Sequence, residues 1–340
     1  MKPVNDVRIG VIARLSGDIL SAPVGRHVHQ AVELAVSEID AQGGLLLDGH
    51  RIPLSIKFAD DTGSPEGAAS AAHRLISVDG VSAIVGPGPS RAAIAVARVA
   101  EQAGVPMISA GSSHPELTSG NRFAFRLGAV DPVQASVLAE VAVRDLGVTR
   151  AAVLFDETDD FGRNEAVGFR DSLHKAGGAV VAFEGYLRGQ ESFVQELSRI
   201  RESGAEALFL PSYLADVRRQ ARQARELPAH WKLMGTDSLD LSFLPEEDAG
   251  SALSDLDGMY FSILWRPELP GEESRRFAEK YLAATGEKPG ASAALYYEAT
   301  RILCRVIEGQ QSVEPEAIRE GLVGLGPRTA NSSGQTRFVS

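Results

Sequence analysis

The sequence predicts an α/β protein built as two open, doubly wound, mostly parallel sheets. Three observations carry that expectation. Short β-branched or apolar runs alternate with longer segments of helical period, and the alternation restarts after a break at Asp131-Pro132. The 340 residues also suit two buried cores, at a prior of about 150 residues per domain.

In the first half, strands are predicted over Val7 to Ala13, Pro53 to Ala59, Ser82 to Val85 and Pro106 to Ser109. After the first of these, Val28, Val32, Ala35 and Ile39 recur at steps of four and three, making one apolar helix face that stops at Gly43-Gly44. Ser64-Pro65-Glu66-Gly67 supplies a capping residue and a first-turn proline before a helix over Ala68 to Val78. Ser90 opens another that runs to Gln102.

The second half begins with a helix through Leu138 to Leu146 and a strand at Ala151 to Phe155. A helix with Phe169 and Leu173 on one face leads to a strand at Ala179 to Phe183. Phe193, Leu197 and Ile200 mark the next helix, Ala207 to Pro211 the next strand, and Val217, Ala221 and Ala224 a further helix. Strands at Lys232 to Gly235 and Gly258 to Ser262 follow. Glu272 to Ala284 and Ser292 to Glu308 are helical, and Thr336 to Val339 is a short closing strand.

Composition removes several function classes. With 44% hydrophobic and 23% charged residues the chain can build cores and is not a disordered polymer. Lys and Arg number 34 against 45 Asp and Glu, so a net charge of -11 gives no cationic field for nucleic acid or anionic lipid. Cys304 is the only cysteine, which excludes an intramolecular disulfide and a cysteine-built metal site. The longest apolar stretches, such as Ala92 to Ala97, fall far short of the roughly 18 residues of a membrane helix. Neither a P-loop nor a Gly-x-Gly-x-x-Gly run occurs, and the seven histidines form no His-Glu-x-x-His pair; they are expected in solvated or capping roles. No cofactor or metal is implied. Met1 to Asp6 lack the apolar core of a signal peptide, so the protein is either cytosolic or already trimmed of its export signal.

In doubly wound sheets, ligands bind beyond the carboxyl ends of the strands. Two such ends carry small hydroxyl residues at helix starts, Gly86-Pro87-Gly88-Pro89-Ser90 and Ser109-Ala110-Gly111-Ser112-Ser113, a composition that can hold a carboxylate or phosphate. The same residues are also common loop punctuation. Asp237 follows a second-half strand and Asp131 opens a helix; each can face a ligand or cap a helix. Phe161, Tyr213 and Trp265 fall at or past strand ends, as ligand cover or as filling. Gly88-Pro89-Ser90-Arg91-Ala92 is a degenerate echo of a nucleophile elbow, without its second glycine.

Taken in order, these pieces resemble the type I periplasmic binding proteins, in the leucine/isoleucine/valine-binding branch of ABC-transporter receptors. The likeness runs through Arg8-Ile9-Gly10-Val11, Leu15-Ser16-Gly17, Glu38-Ile39-Asp40-Ala41-Gln42-Gly43-Gly44, Asp60-Asp61, Ile84-Val85-Gly86-Pro87 and Gly104-Val105-Pro106-Met107-Ile108-Ser109. It continues through Phe125-Arg126, Phe161-Gly162-Arg163, Gln220-Ala221-Arg222 and Gly235-Thr236-Asp237. The resemblance implies two lobes joined by three crossovers, residues 1–129 with 264–325 and residues 130–263 with 326–340. It implies an amino acid or similar solute held between them with hinge closure, and no catalysis.

On that resemblance Ser90 and Ser113 match the hydroxyls that hold the ligand carboxylate. Ser112 matches a backbone carbonyl that meets the ammonium, and Asp131 and Asp237 match acidic partners of that ammonium. Phe161 and Tyr213 match two family tyrosines, the first without its hydroxyl. Other departures are a longer loop before Phe161, no early aromatic around Ser21 to Gly25, and no disulfide. The implied setting is a monomer in the periplasm or outside the cell, its export signal removed, with an ABC permease complex as partner and no membrane insertion or nucleic acid. The chain ends within the motif Gly334-Gln335-Thr336-Arg337-Phe338-Val339, where the family continues, so the expectation is a boundary of the given sequence, with another domain after it as one alternative. Two other readings compete: a sensor domain of the same fold that binds a carboxylic acid or amide, and, third, an α/β enzyme.

Overall fold

A computed structural model describes residues 5–16, 22–239, 250, 254–268, 271–326, 329–331 and 334–336. Gly17 and Ser21 of the early motifs, and Arg337 to Val339 of the closing strand, lie outside the described residues. The chain divides into one compact unit of Met1–Gly128 with Trp265–Ser340 and another of Ala129–Leu264.

The first unit runs β1 (Val7–Ala13), α1 (Ala22–Asp40), β2 (Leu45–Leu47), β3 (His50–Ile52), β4 (Leu54–Asp60), α2 (Pro65–Ser77), β5 (Ala83–Val85), α3 (Ser90–Ala103), β6 (Met107–Ser109) and β7 (Ala124–Arg126). Its sheet has the order β4-β1-β5-β6-β7 and every pairing in it is parallel, with Ile9 beside both Ile56 and Ala83 and Met107 beside both Ile84 and Ala124. Strand β1, flanked by β4 and β5, is covered on both faces, since Ile9, Val11 and Ile12 are all fully buried. Alanine-rich faces of α2 and α3 explain how closely the helices approach: Ala68, Ala72, Ala93 and Ala97 pack with Leu75, Ile84 and Met107 in one core. Ser64 caps α2 as expected, accepting from the Gly67 N–H at 3.0 Å, and Pro65 takes the first turn.

The second unit runs α4 (Asp131–Arg144), β8 (Arg150–Asp156), α5 (Asp160–Lys175), β9 (Ala179–Tyr186), α6 (Val194–Glu202), β10 (Ala207–Phe209), α7 (Leu214–Glu226), β11 (Lys232–Gly235) and β12 (Tyr260–Phe261). Its parallel sheet has the order β12-β11-β10-β8-β9. Phe169 of α5 stacks on Phe209 of β10 at 4.4 Å between ring centres, inside a core with Leu138, Val153, Leu173 and Met234. Counted along the chain, both sheets have the order 2-1-3-4-5.

Back in the first unit come α8 (Glu272–Thr285), α9 (Ala291–Gln310), α10 (Pro315–Gly324), β13 (Thr329–Asn331) and β14 (Gly334–Thr336). The sequence reading placed 326–340 with the second half. Its described part is an antiparallel hairpin in which β13 and β14 pair with each other, and the chain's compact division groups it with the first unit.

Five elements depart from the sequence expectation. The β2/β3 hairpin was not predicted, although its turn, Asp48-Gly49, has both residues at positive φ, the conformation that two-residue hairpins favour. The three-residue strand β7 and the helix α10 were not predicted either, and β12 is shorter than the predicted strand. His27 is a correction of another kind. It is buried rather than solvated, with Nε2 3.1 Å from a Glu287 carboxyl oxygen, and burial holds its pKa below the ordinary value although Glu287 pulls it upward. Among the described residues no helix is long and apolar enough to cross a membrane, and no group of His, Cys, Asp and Glu is arranged to hold a metal.

Candidate functional site

In sheets of this order the binding crevice lies beyond the strand ends where the connections reverse direction: between β1 and β5 in the first unit, and between β8 and β10 in the second. Both positions are occupied by residues that the sequence singles out.

In the first unit the turn after β5 is tied to its neighbours. Gly86 donates its N–H to the Ile108 carbonyl at 2.8 Å. Its φ is +86°, and a Cβ there would lie 2.1 Å from the Ile12 carbonyl oxygen, so only glycine lets the chain leave the strand this way. The Ser109 hydroxyl donates to the Pro87 carbonyl at 2.7 Å and accepts the Ser112 N–H at 3.1 Å. The Ser112 hydroxyl in turn donates to Ser90 Oγ at 3.2 Å. Ser90, Ser112 and Ser113 are all buried.

Helix α3 starts at Ser90 and has no side-chain cap, so the positive end of its dipole lies at this serine group. Hydroxyl donors at an uncapped helix start form a cradle suited to an anionic end group. Arg126 supports it from beneath. Fully buried, it donates to the Ser112 carbonyl at 3.3 Å, the Pro115 carbonyl at 3.4 Å and Thr118 Oγ1 at 2.9 Å. The Ser112 carbonyl, expected to meet an ammonium, therefore already serves one buried donor, and its second lone pair is what a ligand can use. Sequence reasoning placed Arg126 only within a motif, not as the strut of this loop.

In the second unit Asp159 caps α5 by accepting the Gly162 N–H at 2.9 Å, and is held by Arg188 Nη2 at 3.1 Å. That cap sets Phe161 in the first turn, buried, with its ring 5.6 Å from the ring of Tyr213 at the start of α7. Tyr213 is 41% exposed as a residue, while burial holds the pKa of its hydroxyl well above the ordinary value. Asp237 opens a short 3-10 turn after β11. The next residue, Ser238, donates to the Ser212 carbonyl at 2.6 Å, which ties this turn to the loop leading into Tyr213. Asp131 is the first residue of α4 and fully buried, and the cap position before it is taken by Val130.

The structure thus gathers Ser90, Ser112 and Ser113 in one unit and Phe161, Tyr213, Asp131 and Asp237 in the other. Trp265 lies elsewhere in the first unit, edge-on to Phe277 at 5.7 Å in a core with Tyr281, Ala293 and Tyr297. Sequence reasoning missed Glu165, a fully buried carboxyl on α5 on which the charges of both Asp131 and Asp237 act. The available signal was its spacing of four from Phe161, which puts both on one helix face.

The model of the periplasmic binding protein family matches residues 6–338. The chain is 30% identical over 235 residues to Leu/Ile/Val-binding protein homolog 3 of Brucella melitensis, an alignment that covers 69% of this chain and 62% of that relative. It is 29% identical over 319 residues to an amino acid binding protein of Pseudomonas aeruginosa, covering 93% of this chain and 82% of the other. In three dimensions it is similar to the leucine binding protein LivK of Thermotoga maritima, with a TM-score of 0.86 and 27% identity over 97% of this chain and 90% of that one. The chain spans 62% of the length of the first two curated relatives it matches.

Proposed function

This chain belongs to the periplasmic binding protein family, and from that premise we propose that it is the solute receptor of an ABC importer, binding a branched-chain or similar amino acid. The observation that carries the reading is the distribution of polar groups over the two units. A buried serine cradle at a helix start is chemically matched to a carboxylate, and the carboxyl groups of Asp131 and Asp237 are matched to an ammonium. A free amino acid carries both ends, and no single-ended ligand uses both groups of residues.

Ser90 and Ser113 would hold the carboxylate, with Asp237 and Asp131 on the ammonium and Phe161 and Tyr213 beside the side chain. The protein works by binding rather than catalysis, outside the cytoplasm, and hands its solute to a permease complex. A thermal-shift panel of amino acids tests this, because a ligand that binds only the folded state raises the melting temperature by mass action. A branched-chain amino acid should give a concentration-dependent rise. A panel with no amino acid response, alongside a response to carboxylic acids without an amine, would overturn the reading.

A further inference from the structure

Glu165 has no role in the function just described, yet it is the buried group of the second unit that most needs one. It lies on α5 one turn after Phe161 and is fully buried. One further turn along, Gly168 lets α5 pack tightly on α4: a Cβ there would lie 3.0 Å from Ala135 Cβ and 3.8 Å from Pro132 Cα. That crossing sets Glu165 beside the first turn of α4, where Asp131 precedes Pro132, and Asp237 acts on it from the turn after β11. Neither of its carboxyl oxygens has a hydrogen-bond partner among the described residues.

The charges that act on Glu165 are those of Asp131 and Asp237, of its own sign once it ionises. Two arginines of this unit are engaged with other carboxylates. Arg188 is held by Asp156 and Asp159, and Arg163 of the same helix by Asp160. Gln134, on α4, accepts from Ser262. Burial first, and then the two aspartates, push the Glu165 carboxyl from the ordinary value up to about 10, so it carries a proton at neutral pH.

We propose that Glu165 takes up an organic ammonium group in exchange for its own proton, so that binding an amino acid releases one proton. The proposal rests on reading the chain as an amino-acid receptor. In the exchange the carboxyl O–H bond breaks and the proton leaves to solvent. The ammonium N–H groups then donate to the Glu165 carboxylate and to Asp237, and the imported positive charge replaces the lost one. A ligand without an amine brings nothing to exchange and leaves Glu165 protonated.

Titration calorimetry with L-leucine near pH 7, in buffers of different ionisation heat, counts the protons. Wild type should release about one per leucine, with affinity rising about tenfold per pH unit until the amine of leucine itself titrates. Glu165→Gln should release none and bind leucine with an affinity independent of pH. Isocaproate, which is leucine without its amine, should release none from wild type. Leucine binding to wild type without proton release overturns the proposal and leaves the receptor reading standing; that result needs no variant, so a poorly folded Glu165→Gln cannot obscure it. If no amino acid binds wild type, the receptor reading fails and this proposal fails with it.

Discussion

The hydroxyl of Ser112 donates to that of Ser90 at 3.2 Å, joining the loops after β5 and β6 through two buried side chains. The bond aligns the hydroxyl at the start of α3 with the neighbouring loop, so that both can face one anionic group. Ser90→Ala should weaken amino-acid binding about ten- to a hundred-fold, the equivalent of a charge-assisted hydrogen bond of about 1.5–3 kcal/mol. Unchanged affinity, measured by calorimetry, would place the carboxylate elsewhere.

Arg126 makes a separable prediction. From a fully buried position it donates to the Ser112 carbonyl, the Pro115 carbonyl and Thr118 Oγ1. Arg126→Met removes the donor from the buried Ser112 carbonyl and Thr118 Oγ1, while the Pro115 carbonyl keeps the Thr118 and Ser119 N–H groups, and should cost about 1–3 kcal/mol in urea denaturation, as well as loosening the serine loop. A variant as stable as wild type would show that water or other groups satisfy these acceptors equally well.

The proposed pairing of Asp237 with the ligand's amine predicts a difference between ligands. An ammonium buried without a partner is costly, and a carboxylate within hydrogen-bond reach offsets much of that cost. Asp237→Asn should weaken L-leucine while leaving isocaproate binding unchanged. Equal losses for both ligands would assign Asp237 to its turn, where it opens the 3-10 segment, and not to the amine.

Glu165 also gives the unliganded protein a pH dependence of definite sign. Its folded-state pKa is raised to about 10 from an ordinary 4.5, so across that window the folded chain keeps a proton that the unfolded chain has lost. Stability is then highest at the acid end and falls as pH rises, by up to about 1.4 kcal/mol per pH unit from this group. Glu165→Gln should gain stability over wild type as pH is raised from about 5 to 8 in urea denaturation series. Parallel curves for the two proteins would mean that Glu165 is not held neutral.

The strands with long apolar runs were legible because a parallel strand buried on both faces leaves a continuous signature: β1 spans Val7–Ala13 as predicted, and β11 spans Lys232–Gly235. The three-residue strands β5, β6 and β10 were also legible, because each lies in a predicted apolar run; β7 was not. β7 has only Ala124, Phe125 and Arg126, and its arginine reads as surface until the fold buries it. The serine loops were legible from composition at strand ends. Their bonding was not, since Ser109 and Ser112 act through Pro87 and Ser90, twenty-two residues away along the chain. Glu165 escaped notice because a glutamate in a polar helix reads as a solvated face; only the close crossing at Gly168 turns that face inward. Trp265 illustrates the opposite ambiguity, since an aromatic past a strand end can equally complete a core, and this one packs against Phe277.

The central claim is the proposal that the ligand is an amino acid whose carboxylate and ammonium both contribute to binding. Titration calorimetry of wild type with L-leucine, isocaproate and isoamylamine tests it directly, because each analogue lacks one end. Leucine, or another branched-chain amino acid with its matching pair of analogues, should bind at least about tenfold more tightly than either truncated molecule, the minimum worth of one charged hydrogen bond. Either analogue binding as tightly as the whole amino acid would contradict the account.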